Sequence, residues 1–185
     1  MKKYLILFVF VLVATVSVQA QVGLGLRLGA NYSGFRGDDV VGDPDRLFGA
    51  HAGLTANLPI SADNFFSIQP ELLFSMKGAE YDNNKLRLYY VDVPVLARIN
   101  AAPLYFEAGP QLSVRVGGES DLTDDLDFIR TTGFGYVAGV GIGTPMGVSL
   151  GVRYNGDISK LNDEGDREEY NDVFMLTLGY IFGSR

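Results

Sequence analysis

From Gln21 onward, apolar and polar side chains alternate with a period of two, the repeat of a strand that shows one greasy face and one polar face. In the last such stretch Phe174, Leu176, Leu178, Tyr180 and Phe182 fall on one face, while Met175, Thr177 and Gly179 fall on the other. Residues 104–116 read the same way. Leu104, Phe106, Ala108, Pro110, Leu112, Val114 and Val116 share an apolar face, and Tyr105, Glu107, Gly109, Gln111, Ser113 and Arg115 share a polar or small one. The same repeat predicts strands over 22–33, 48–58, 66–77, 89–99, 134–143 and 148–155. Most of these segments are near the roughly 9–11 residues that a tilted membrane strand requires.

The connections between them differ in length. Residues 61–64, 100–102 and 144–147 have the composition of tight turns; 34–47, 117–132 and 156–172 are long and polar; 78–87 is intermediate. This order predicts an all-β, eight-stranded, antiparallel up-and-down transmembrane barrel with both termini in the periplasm, because such barrels have short periplasmic turns and longer outer loops.

A soluble barrel of the lipocalin kind would carry its charges on the outward face. Here Arg27, His51, Glu71, Lys77, Asp92, Arg98, Glu107, Arg115 and Arg153 share a face with glycines, whereas the opposite face is almost entirely aliphatic and aromatic. That asymmetry favours lipid outside and a polar lumen. The one charge in the apolar phase, Arg87, falls at the outer rim. Eight strands leave an interior only wide enough for side chains. The sequence therefore predicts a lumen plugged by an ion network of Arg27, Glu71, Asp92, Arg98, Glu107, Arg115 and Arg153, since unpaired charge there would be costly. Pro70, Pro94 and Pro110 lie within predicted strands and are expected to be sites of bulging or strand distortion, because each removes a ladder hydrogen bond.

Residues 1–20 carry the three parts of a cleaved signal peptide: Lys2 and Lys3, an apolar run from Leu5 to Val16, and Val18-Gln19-Ala20 at the cleavage site. The barrel domain is then 21–185. Without the two leader lysines the chain has 15 − 2 = 13 basic against 22 acidic residues, which argues against a nucleic-acid partner. There is no cysteine, so thiol-linked lipidation, disulfides and thiolate metal sites are excluded.

The stretches Gly29-Ala30-Asn31-Tyr32-Ser33, Gln69-Pro70-Glu71-Leu72-Leu73-Phe74-Ser75-Met76-Lys77-Gly78, Val91-Asp92-Val93-Pro94-Val95-Leu96 and Tyr105-Phe106-Glu107-Ala108-Gly109-Pro110 resemble the small outer-membrane β-barrel proteins of the Bacteroidota, the PorT-like or outer-membrane β-barrel domain group. The resemblance covers nearly all of 21–185 and includes the prolines. It implies location in the outer membrane of a Gram-negative bacterium and the barrel fold, with no catalytic residue.

His51, the only histidine, could serve a lipid hydrolase together with Ser75 or Ser33, but the alternation turns it inward, where a buried polar network suits it better. The glycines of 23–25 and 139–143 have no following helix pattern, so they are inward strand positions and not a dinucleotide fingerprint. The long loops are acidic, with Asp38, Asp39, Asp43 and Asp45, then Glu119, Asp121, Asp124, Asp125 and Asp127, then Asp163, Glu164, Asp166, Glu168 and Glu169. They form a solvated surface and could draw Ca²⁺ or Mg²⁺, although none has calcium-loop spacing. The expected role is that of a non-enzymatic structural or surface-interaction module with no cofactor, whose loops meet an extracellular or envelope partner and whose wall meets outer-membrane lipid. A narrow channel and a lipid-modifying enzyme are the alternatives.

Overall fold

The computed structural model describes residues 22–37, 42, 44–81, 84–120, 129–160 and 168–183, so residues 1–20, expected to be a signal peptide, and most of the acidic loop residues lie outside the described residues. Eight strands follow one another: β1 (Gly23–Arg36), β2 (Asp45–Pro59), β3 (Phe66–Tyr81), β4 (Asn84–Ala101), β5 (Leu104–Ser120), β6 (Thr132–Gly143), β7 (Val148–Asp157) and β8 (Tyr170–Ile181). Each pairs antiparallel with its neighbour in sequence, and β8 closes on β1 from Gly25↔Ile181 to Arg36↔Tyr170. Closure leaves no free sheet edge around the ring, which is how strands satisfy their backbone groups in lipid.

The alternation sorts the side chains inside out relative to a soluble protein. Leu24, Leu26 and Leu28 on β1 and Phe174, Leu176, Leu178 and Tyr180 on β8 are exposed, whereas Arg27, Glu71, Lys77, Asp92, Gln111 and Arg153 are no more than 3% exposed. Outward aromatic pairs band the wall. Tyr32–Phe48, Phe74–Tyr89 and Tyr154–Phe174 lie toward the loop end, and Tyr180–Phe182 lies toward the turn end. Such girdles mark the two membrane interfaces. At the turn end, Asp63 accepts from the Phe65 amide at 3.1 Å; the Ser61 hydroxyl and that amide together hold its carboxyl below the ordinary 3.8.

Several strands run further than their apolar faces predict. β3, β4 and β5 have 16, 18 and 17 residues, against 12, 10 and 12 for β6, β7 and β8. The expected connection over 78–87 is mostly strand, paired from Lys77↔Leu88 to Tyr81↔Asn84. Beyond the aromatic band the outward positions become charged, with Lys85 Nζ 3.7 Å from Glu80 and Arg87 Nη1 4.0 Å from Glu119. This part of the wall therefore stands clear of the lipid-facing band, and Arg87 sits on it. A sequence search for greasy alternation ends where the wall leaves lipid.

The prolines do not insert residues. Pro70 pairs with Val95, Pro94 with Gln111 and Pro110 with Tyr136 without a register change, although the β3–β4 ladder skips Glu71 and Leu72 and the β4–β5 ladder skips Val95 and Leu96. Each proline thus interrupts pairing locally without a bulge. The register shifts fall instead between Arg46 and His51 and between Tyr89 and Tyr90.

Candidate functional site: a filled lumen beneath a loop-end mouth

Inward positions from five strands build the central tier. Arg153 on β7 makes a bidentate pair with Glu71 on β3, Nη1 to Oε2 at 2.7 Å and Nη2 to Oε1 at 2.9 Å, while its Nε donates to Glu107 on β5. Arg27 on β1 adds Nε to Glu71 Oε1 at 3.1 Å and donates from Nη2 to Gln69 Oε1 at 2.9 Å. Arg98 on β4 donates to the same Gln69 oxygen at 3.2 Å and lies 3.8 Å from Glu107 Oε2. Its guanidinium carbon also lies 3.5 Å from the ring centroid of Tyr105. Planar, bidentate guanidinium groups suit such sites because one group can satisfy two carboxylates at once.

The next tier toward the loops is neutral. His51 Nδ1 is 2.7 Å from Asn31 Oδ1 and Nε2 is 3.1 Å from Thr177 Oγ1, and Asn31 Nδ2 donates to Ser75 Oγ at 3.0 Å. Ser33 Oγ donates to the carbonyls of Leu47 and Gly78. His51 is thus enclosed, with both ring nitrogens engaged, and Ser75 is bonded to Asn31. This geometry offers no serine nucleophile to lipid.

Asp92 does not join Glu71 and Glu107. Its Oδ1 accepts from Lys77 Nζ at 3.0 Å, and that ammonium stands 4.8 Å from the Tyr90 ring centroid. Asp157 lies within Coulombic reach of this pair and accepts from Asn171 Nδ2 at 3.2 Å. Arg115 stands further out still, where its Nη2 donates to the Ile129 carbonyl at 2.8 Å. The seven residues expected to form one network are therefore divided. Arg27, Glu71, Arg98, Glu107 and Arg153 meet, Asp92 pairs with Lys77, and Arg115 holds the Ile129 carbonyl. Arg115 pairs with Tyr90 in the unshifted register, near the end of the wall and just before the bulge.

The outermost tier is apolar. Leu88, Tyr90 and Ile129 are buried together, with Phe35 and Leu86 packed against them. The rule of a polar lumen hid this cap, because inward Leu86 and Leu88 interrupt the polar phase. The signal was present in the sequence as apolar residues on both faces of 86–91. Among the described residues, no group of three or more histidine or acidic side chains is placed to hold a metal ion.

A closed ring of eight antiparallel strands with lipid-compatible side chains outside and ion pairs within defines a membrane β-barrel. The chain belongs to the outer membrane protein beta-barrel domain family, whose match spans residues 6–182, and it is accordingly an outer-membrane protein. Its fold is similar to that of Neisserial surface protein A, with 17% identity, TM-score 0.60, and coverage of 86% of this chain and 97% of that one. It is similar as well to the attachment invasion locus protein Ail of Yersinia pestis, solved with the heparin analogue sucrose octasulfate, with 18% identity, TM-score 0.51, and coverage of 86% and 99%. Ail in a phospholipid bilayer nanodisc gives 14% identity, TM-score 0.51, and coverage of 88% and 100%. These likenesses describe the fold alone. No curated protein matches the chain in sequence.

Proposed function

We propose that the protein is a non-enzymatic surface module of a Gram-negative outer membrane, with both termini and the three short turns in the periplasm, which presents its acidic loop end to an external partner. The observation that carries this reading is the wall itself: β3, β4 and β5 continue past the aromatic band with charged outward residues, raising a platform at the loop end only. Residues 1–20 act as the cleaved export signal. The proline-bearing motifs keep the PorT-like group of the Bacteroidota as the closer affiliation within the family. The names of the two structural neighbours, a surface protein and an attachment protein, agree with a role at the cell exterior. An acidic mouth, however, suits a cationic partner or one bridged by divalent cations rather than a sulfated glycan. Transport fits less well, because ion pairs and an apolar cap occupy the lumen in successive tiers.

Orientation is open to a clean test, because the chain has no cysteine of its own. In intact cells, a membrane-impermeant maleimide is expected to label Glu119→Cys, whose native side chain is 67% exposed. Asp63→Cys should react only after the outer membrane is opened. Equal labelling of both, or the reverse order, would overturn the proposed orientation.

A further inference from the structure

The central ion cluster does not balance. Arg27, Arg98 and Arg153 meet Glu71 and Glu107, so three guanidinium groups face two carboxylates in a buried site. In the tier toward the loops Asp92 and Asp157 flank Lys77, and Arg36 also lies within Coulombic reach of Asp157, so the acids there have cations of their own. The unmatched positive charge is at the turn end. Buried charge of this kind is costly without a counter-charge at short range.

The unused hydrogen-bonding groups at the same end are mainly donors. Arg27 Nη1, Tyr105 OH and Ser67 Oγ have no hydrogen-bond partner, although the first two residues are 2% and 1% exposed and Ser67 is 1% exposed. Arg27 Nη1 and the Tyr105 hydroxyl face a floor of glycines. A Cβ on Gly179 would lie 2.9 Å from Arg27 Nη1 and 2.6 Å from Ser149 Oγ, and the Tyr105 hydroxyl fills the space that side chains at Gly141 and Gly151 would take. Arg98 Nη2 is directed to the same side, 3.8 Å from the position of a Cβ on Gly143. Ser67 is the register partner of Arg98. Arg98 and Ser149 are each 7% exposed, which leaves this end the way in from turn-side solvent.

We propose that the turn end of the lumen holds one small inorganic anion of single charge, of the chloride class. Arg27 and Arg98 supply the attraction, and the hydroxyls of Tyr105 and Ser149 complete its shell. One negative charge there balances the cluster and uses Arg27 Nη1 and the Tyr105 hydroxyl, which the protein leaves unpaired. The loop-side tier, whose cations face Asp92 and Asp157, does not compete for it.

Crystals of the full folded chain grown with bromide in place of chloride test this directly. The expected result is an anomalous bromide peak inside the barrel within hydrogen-bond reach of Arg27 and Arg98. Bromide found only on the outer surface, an adventitious ion only, would overturn the proposal. The second measurement is thermal unfolding of the detergent-folded protein, followed by gel shift in sodium chloride and in sodium gluconate at equal ionic strength. Chloride should raise the midpoint by about 3 °C, a shift that mass action at a native-state site produces. Ser149→Asp, which brings its own carboxylate to the cradle, should lose the chloride effect, while Lys77→Met in the other tier should keep it. Equal midpoints in the two salts for the unmodified protein, or an undiminished shift in Ser149→Asp, would contradict the site.

Discussion

Replacing Glu71 by alanine is expected to remove about 3–5 kcal/mol of folding free energy, the typical cost of breaking a buried ion pair on one side. The reason is what remains behind. Arg153 loses both oxygens of its bidentate partner at 2.7 and 2.9 Å, and Arg27 loses its contact at 3.1 Å. Glu107 would then be the only carboxylate facing three guanidinium groups in a lumen where these side chains are almost wholly enclosed. Urea unfolding in lipid vesicles reads the loss. Glu119→Ala is the control: its ion pair is solvent-exposed at the outer rim, and surface pairs of that kind contribute about 0–1 kcal/mol. Similar midpoints for Glu71→Ala and Glu119→Ala would mean that the lumen cluster does not hold the barrel together.

The second large effect belongs to the outside of the wall. Leu28 is 53% exposed and lies on β1 between Leu24 and the loop-side aromatic Tyr32, flanked by Ala52 and Leu178. In Leu28→Arg a guanidinium would enter the middle of the hydrocarbon, at a cost of about 2–4 kcal/mol. Val116→Arg also faces outward but sits at the β4–β5 register shift near the end of the wall, where the cost falls to about 0–1 kcal/mol. The same vesicle unfolding assay measures both. A soluble barrel would tolerate the two arginines equally, so equal stability of the variants would remove lipid as the solvent of this face.

Most of the wall could be read from the sequence because one physical rule governs it: wherever the outward face meets hydrocarbon, every second residue must be apolar. Phe174 to Tyr180 and Leu104 to Val114 obey that rule, and both lie in strands of the expected phase. The rule stops at the membrane surface. Glu80, Lys85 and Arg87 face water from strands that continue into solvent, so 78–87 resembles a loop although 78–81 are paired with 84–87. Within the lumen, alternation identified which side chains point inward but not how they divide into tiers. That division depends on strand stagger around the closed ring, which places Glu71 of β3 against Arg153 of β7 and leaves Asp92 to Lys77. Arg115 lies well beyond Glu107 on β5, next to the register shift, where it meets Ile129, which reaches the cap from outside any predicted strand. That meeting does not follow from local pattern. The prolines were legible as interruptions, but that the register continues across them is a property of the neighbouring strands.

Ion pairs and an apolar cap fill this barrel along its axis, which is why we place its work at the loop end and not in the lumen. Planar-bilayer recording of the folded full chain tests this most directly, with insertion verified by protease digestion of the recovered membrane. Insertion without discrete conductance steps is expected. Stable, voltage-independent steps from the inserted protein would show an open path past Arg98, Arg153 and the Leu88–Tyr90–Ile129 cap, and would contradict it.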